Sequence, residues 1–195
     1  MVLDPGCGSG TFLIETYSRL YRLKTGKTLL EGRPGREVHE AILNQLYGVD
    51  INPFPLHLTA VNLAMRNVRN PSSNMNLIHQ DFFTILPGQQ ALASYTTVTI
   101  RGVRPRPIPI PKTFDAVVGN PPYTRWVEIP DKTQRVILQN LLPQFPAYDL
   151  KPDPIRGREP GIYVYWIMHA TRFLNDGGRL GMIISNMWMQ TDYGI

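Results

Sequence analysis

Four short apolar runs, each closing on a polar or glycine-rich turn, constrain this chain more than any other feature. They are Val2-Leu3-Asp4, Tyr47-Gly48-Val49-Asp50-Ile51, Met75-Asn76-Leu77-Ile78-His79 and Phe114-Asp115-Ala116-Val117-Val118-Gly119. A fifth run, Arg179-Leu180-Gly181-Met182-Ile183-Ile184-Ser185, lies near the end. Segments with helical spacing separate them. Strands that are apolar almost throughout must be covered on both faces. Alternation of such strands with helices predicts an α/β fold, a doubly wound and mostly parallel sheet. In such sheets ligands sit beyond the carboxyl ends of the strands. Here those ends carry Asp4, Asp50, Asp81 and Asn120.

The helical segments are legible from apolar spacing. One begins near Thr11 with Leu13, Tyr17 and Leu20 on a face, and Gly26 is its expected stop. A second begins near Arg36, with Val38, Ile42 and Leu46 in register. Asn52 and Pro53 are a cap and first turn for a third, whose stripe is Leu58, Val61, Met65 and Val68. A fourth covers 162–175, with Trp166, Ala170 and Phe173 on one face, before the turn Asp176-Gly177-Gly178. Two segments break the rhythm. Residues 87–113 form an insertion with Thr96-Thr97-Val98-Thr99-Ile100, then Arg101, Arg104, Arg106 and alternating prolines. Residues 143–160 are rich in proline and charge.

The 195 residues fit one domain, and 43% hydrophobic against 18% charged residues provides for a core. No apolar run reaches membrane-spanning length and no signal-peptide pattern opens the chain, so a cytoplasmic protein is expected. Cys7 is the single cysteine, which excludes an internal disulfide; a packed, inert role is expected for it. His39, His57, His79 and His169 lack metal-ligand spacing, so no metal is expected. The net charge of +5 permits phosphate contacts without proving them. Arg101, Arg104 and Arg106 are read either as phosphate contacts or as a solvated insertion, and Trp126 either as a pocket residue or as core.

Asp4-Pro5-Gly6-Cys7-Gly8-Ser9-Gly10 follows a strand and opens a helix. Glycines there let backbone approach a ligand, and the helix start offers free N–H groups. Alone, such a loop fits a dinucleotide, a phosphate or a purely structural turn. It lacks the Lys-Ser/Thr pair of a P-loop, and the acid before it suits a ligand with a cationic amino group. An acid in the position of Asp50 is either an acceptor for two ribose hydroxyls or an ordinary helix-preceding acid. Asp81-Phe82 is either an acceptor for an adenine amino group with a ring to stack on it, or a helix cap beside a core phenylalanine.

Asn120-Pro121-Pro122-Tyr123 carries the sharpest signal. It resembles the Asp/Asn/Ser-Pro-Pro-aromatic signature of the amino methyltransferases of DNA. The segment Asp4 to Phe12, through Ser9, Gly10 and Thr11, is similar to that family's cofactor loop. Gly48-Val49-Asp50-Ile51-Asn52-Pro53 is similar to its ribose motif, and Gln80-Asp81-Phe82-Phe83 to its adenine motif. The segment from Phe173 to Ile184 is similar to the large adenine methylases of restriction–modification systems. The resemblance implies a Rossmann-like methyltransferase sheet and S-adenosyl-L-methionine as cofactor. It further implies methyl transfer to N6 of adenine in double-stranded DNA, with the target base flipped. Its cofactor residues would be Asp4 to Phe12 with Asp50, Ile51, Asp81 and Phe82; its catalytic residues would be Asn120, Pro121, Pro122 and Tyr123.

The residues support that chemistry on their own terms. An exocyclic amine is a weak nucleophile, because its lone pair is delocalised into the ring. The Asn120 side-chain oxygen and the Pro121 carbonyl can each accept one N–H, favouring a pyramidal nitrogen. Prolines hold both acceptors preorganised, and Tyr123 offers a ring for a flipped base.

The same loop serves enzymes acting on cytosine N4, RNA or protein glutamine, and these stay open, as does a non-catalytic fragment. Against the family pattern the chain is expected to be a partial catalytic domain, truncated at both ends. It would lack a helix before the first strand, the last two strands of seven, and the target-recognition domain or specificity subunit and nuclease of a parent protein.

Overall fold

The computed structural model describes residues 1–72, 74–92, 107–153, 155 and 159–186. The first half runs β1 (Val2–Asp4), α1 (Thr11–Thr25), α2 (Arg36–Leu43), β2 (Leu46–Asp50), α3 (Pro53–Ala64) and β3 (Asn76–His79). The second runs β4 (Gln90–Leu92), β5 (Pro107–Pro109), β6 (Phe114–Gly119), α4 (Asp131–Val136), α5 (Ile162–Thr171) and β7 (Leu174–Met182). Five strands form one sheet in the order β3-β2-β1-β6-β7, every neighbouring pair parallel. The fold is α/β, as the alternation predicts. The chain winds outward from β1 to β3 and then returns to lay β6 on the other side of β1. That reversal opens a crevice between the carboxyl ends of β1 and β6, the place where such sheets bind ligands.

Side chains alternate across each strand, so the sheet feeds two cores. Leu46 and Leu77 join Leu13, Tyr17, Ile42, Leu56 and Leu63 under α1, α2 and α3. Tyr47, Val49, Ile78 and Val117 join Phe82, Phe114, Tyr165, Trp166 and Phe173 on the other face.

Several helix expectations need correction. Helix α2 ends at Leu43, because Gln45 N–H turns back to the Ile42 carbonyl while the Gln45 carbonyl accepts from Val2. Leu46 therefore belongs to β2, opposite Val2, and not to the helix. On α1 the buried positions are Leu13, Tyr17 and Tyr21, with Leu20 only partly covered. Gly26 does close α1, in the left-handed conformation. Helix α3 is capped by Asn52, whose side chain accepts from Phe54 N–H. Its buried face, however, is Leu56, Thr59 and Leu63. The expected stripe Leu58, Val61, Met65 and Val68 is between 38% and 61% exposed. The rotation is fixed by two hydrogen bonds to the glycine loop: Thr59 Oγ1 to the Gly8 carbonyl at 2.7 Å and Asn62 Nδ2 to the Ser9 carbonyl at 3.0 Å.

Helix α5 ends four residues before the expected limit, since the Phe173 carbonyl is already taken by Phe114 N–H of the sheet. The last strand accordingly starts at Leu174, not 179, and the Asp176-Gly177-Gly178 turn sits inside it as an irregularity. Within the insertion β4 and β5 pair antiparallel, Ala91 opposite Ile108. Ile108 is buried while Pro107 and Pro109 are exposed, and Ile110 N–H donates to the Gln89 carbonyl at 2.8 Å. Arg101, Arg104 and Arg106 lie outside the described residues. Helix α4, extended by a π turn at Ile137–Leu141, is not among the expected elements.

Candidate active site

The glycine loop is held by backbone. Cys7 N–H donates to the Val49 carbonyl at 2.9 Å, and Gly10 N–H to the Cys7 carbonyl at 2.7 Å. Gly10 has φ 90°, and a Cβ there would lie 2.9 Å from Thr59, so only glycine permits α3 to close on the loop. Asp50 reaches across from β2: one carboxylate oxygen accepts from Gly8 N–H at 2.8 Å and the other from Asn52 N–H at 2.8 Å. The loop and the second strand end thus form one rigid unit.

Asp4 lies beneath the loop, fully buried. Its Oδ1 accepts from Gly6 N–H at 3.2 Å, while Oδ2 has no partner among the described residues. Burial, with a smaller push from the Asp50 charge, raises its pKa to about 7. An acceptor left unpaired at this depth costs free energy unless something cationic or protonated meets it.

After β3, Asp81 caps a turn at Phe82–Thr84: Oδ1 accepts from Phe83 N–H at 3.0 Å. Its Oδ2 accepts from the Thr133 hydroxyl of α4 at 2.6 Å. Phe82 packs on Trp166 of α5, ring centroids 5.0 Å apart. Trp166 also lies over the glycine loop, where a Cβ on Gly6 would stand 3.2 Å from its Cζ2. After β6, the Tyr123 hydroxyl oxygen lies 2.8 Å from Asn120 Oδ1 and 2.8 Å from the Ile183 carbonyl oxygen, and its single proton donates to one of them at a time.

A cleft of about 380 Å³ joins these parts, within the range of small-ligand sites. It is lined by Pro5 and Gly6, by Asp50 and Ile51, by Asp81 and Phe82, and by Asn120 and Pro122. All four strand-end loops therefore contribute to one wall system. Other residues selected from sequence stand elsewhere. Asp4 is below the cleft, and Cys7 packs into the aliphatic core. Burial, with the Asp4 and Asp50 charges, pushes the Cys7 thiol pKa well up, as expected of an inert cysteine. Gly8, Ser9 and Gly10 shape the turn, and Thr11 and Phe12 open α1. Pro121 is buried, and Tyr123 is half-exposed outside the cleft.

Sequence reasoning missed six wall residues: Thr124, Ile129, Pro130, Thr133, Ile162 and Trp166. Trp166 was visible only as a core position on its helix. Thr124, Ile129, Pro130 and Thr133 follow the Asn120 loop with no signal of their own, Thr133 reaching the cleft from α4. Trp126 takes its core alternative, edge-on to Tyr165 at 5.3 Å. Among the described residues no three His, Cys, Asp or Glu side chains come together as a metal site. No helix among them is long and apolar enough to cross a membrane.

The profile of the Eco57I restriction-modification methylase family matches residues 44–195. The chain belongs to that family. Adenine-specific methyltransferase PglX of Streptomyces coelicolor is 25% identical to this Eco57I-family chain over 99% of it, but over only 17% of its own length. Type II methyltransferase M.XhoI of Xanthomonas vasicola is 35% identical over 44% of the chain and 14% of the relative. Among solved structures, the Type ISP restriction-modification enzyme LlaBIII bound to DNA superposes with a TM-score of 0.63, at 15% identity, over 99% of this chain and 13% of that one. LlaGI, a Type ISP enzyme solved with a DNA substrate mimic, gives 0.60 at 16% identity, over 99% of this chain and 16% of that one. These likenesses place the Eco57I-family chain in the fold of restriction–modification methyltransferases, and it spans roughly a sixth of its relatives.

Proposed function

We propose that this chain is the cofactor-binding and amine-methylating part of an S-adenosyl-L-methionine-dependent DNA methyltransferase. Its target is N6 of adenine, and its setting is a cytoplasmic restriction–modification system. The observation that carries this reading is the single cleft shared by Asn120 and Pro122 with Gly6, Asp50, Asp81 and Phe82. The relative described as adenine-specific supports adenine over the other amines.

The residues fit the cofactor. The unpaired Asp4 oxygen suits the environment of an amino acid ammonium. Asp50 holds two backbone N–H groups and retains lone pairs for ribose hydroxyls. Asp81, steadied by Thr133, retains one for an adenine amino group beside the Phe82 ring. When bound, the cofactor supplies an electrophilic methyl on a sulfonium, so the protein provides neither nucleophile nor metal. Asn120 Oδ1 and the Pro121 carbonyl accept the two N–H bonds of the target amine and align it with the cleft. The proton released at nitrogen passes to solvent, since the Asn120 amide is not a base. Positioning and electrostatic preorganisation supply the rate. A target-recognition domain or specificity subunit would choose the DNA site and present the base.

The test is transfer from methyl-labelled cofactor to DNA, followed by digestion to nucleosides. Label in N6-methyladenine is expected. Label confined to N4-methylcytosine, RNA or protein would overturn the assignment. Asn120→Ala should lower transfer by about 10²-fold or more, the scale for loss of a preorganised polar group, with cofactor affinity almost unchanged.

A further inference from the structure

One buried group outside the proposed machinery is tied directly to the cleft wall. His169, on α5, is 1% exposed. Its Nε2 lies 3.0 Å from the Phe82 carbonyl and 3.0 Å from the Ile85 carbonyl. Carbonyl oxygens only accept, so Nε2 carries the ring proton and donates to both. Nδ1 is then an acceptor, and the Arg172 guanidinium stands 3.2 Å from it. Burial and the Arg172 charge depress the His169 pKa to about 4, so the neutral ring persists near neutrality. The ring is fixed sideways as well, with its centroid 4.6 Å from that of Phe82 and 5.4 Å from that of Phe173.

Both carbonyls belong to the turn that follows Asp81. Among the described residues, that turn has no backbone hydrogen bond to a strand. It is gripped from one side by Thr133 on the Asp81 carboxylate and from the other by His169 on its carbonyls. The Phe82 ring is packed between His169 and Trp166, and both Phe82 and Trp166 line the cleft.

We infer that His169 is a positioning residue for the adenine end of the cofactor: its Nε2–H fixes the turn at Phe82–Ile85 and thereby the angle at which Phe82 and Asp81 face the cleft. The inference rests on the cofactor reading above. Any buried imidazole needs partners for its nitrogens; what points to positioning is that both Nε2 acceptors lie in the one turn that carries Phe82 to the cleft.

Binding of S-adenosylhomocysteine, measured by calorimetry on the wild type and variants, tests it. His169→Gln places an amide N–H near the position of Nε2 and should keep affinity within about threefold of wild type. His169→Phe keeps the ring volume without the donor and should weaken binding tenfold to a hundredfold. Arg172→Met leaves Nδ1 without its donor and loosens the ring, and should weaken binding threefold to tenfold; if His169→Phe does not fold, unchanged affinity in Arg172→Met overturns the inference. Leu56→Ala, on the opposite core, should lower the melting temperature and leave affinity unchanged. His169→Phe binding like wild type despite a lower melting temperature would reduce His169 to a core residue and overturn the inference. Loss of affinity in His169→Gln equal to that in His169→Phe would overturn it too. A wild-type chain that does not bind S-adenosylhomocysteine would instead fell the cofactor reading, and the inference with it.

Discussion

The two faces of the sheet are built from different materials. Under α1, α2 and α3 the core is mainly aliphatic: Leu13, Ile42, Leu43, Leu56, Leu63 and Leu77. Under α4 and α5 aliphatic residues are joined by a run of rings: Phe82, Phe83, Phe114, Trp166 and Phe173 stack in a chain of centroid distances between 5.0 and 6.4 Å, with His169 inside it. Aliphatic side chains fill space and adapt, whereas aromatic rings are broad, stiff and directional. The cleft takes Phe82, Phe83 and Trp166, with Ile129 and Ile162, from the second core and no residue from the first. One core keeps the fold standing; the other also shapes the site.

Phe82→Ala should break that division most visibly. Truncating a buried phenylalanine costs about 3–5 kcal/mol, and here it should also weaken cofactor binding at least tenfold. Denaturant melts and calorimetry on the same sample check both halves. Leu56→Ala should cost about 3 kcal/mol and leave the affinity of the folded protein unchanged. A shift in affinity comparable with that of Phe82→Ala would erase the distinction.

Asp4 and His169 sharpen it through pH. The Asp4 pKa is raised to about 7, so its contribution to stability is full below the unfolded value of 3.8 and lost as pH rises through 7. The His169 pKa is lowered to about 4 from 6.5, so its contribution is full above 6.5 and lost as pH falls toward 4. Between pH 4 and 6.5 the two slopes oppose, and the wild type should vary little on their account. Asp4→Asn removes one slope. Stability should then climb with pH across that window and exceed wild type at pH 8 by on the order of 2 kcal/mol, after allowance for a buried amide. Melts at several pH values would show it. Smallest is Thr133→Val, which should weaken cofactor binding about threefold to fivefold, the scale of one lost hydrogen bond, read by the same calorimetry.

Much of the architecture was legible because strand-end chemistry is local. Asp4, Asp50, Asp81 and Asn120 each close an apolar run, and parallel sheets bring such ends to one edge. The face of α3 was not legible, since it offers two apolar stripes: Leu56 with Leu63, and Leu58 with Val61 and Met65. The choice between them is made by Thr59 and Asn62 reaching the glycine loop, a tertiary contact that spacing does not encode. Thr133 and His169 were missed for the same reason. Each acts on a turn more than fifty residues distant, and nothing in its own neighbourhood marks it.

The insertion carries a consequence in its prolines. Residues of an antiparallel strand point their N–H groups alternately toward and away from the partner. In β5 the inward positions are Ile108 and Ile110, and the outward ones are Pro107 and Pro109. Proline has no N–H, so the outer rim of this ribbon offers carbonyls and no donors. A stray strand arriving there finds half a ladder. Among the described residues, the β5 border is in effect a selvedge, poorly suited to the edge-to-edge growth to which exposed strands are prone.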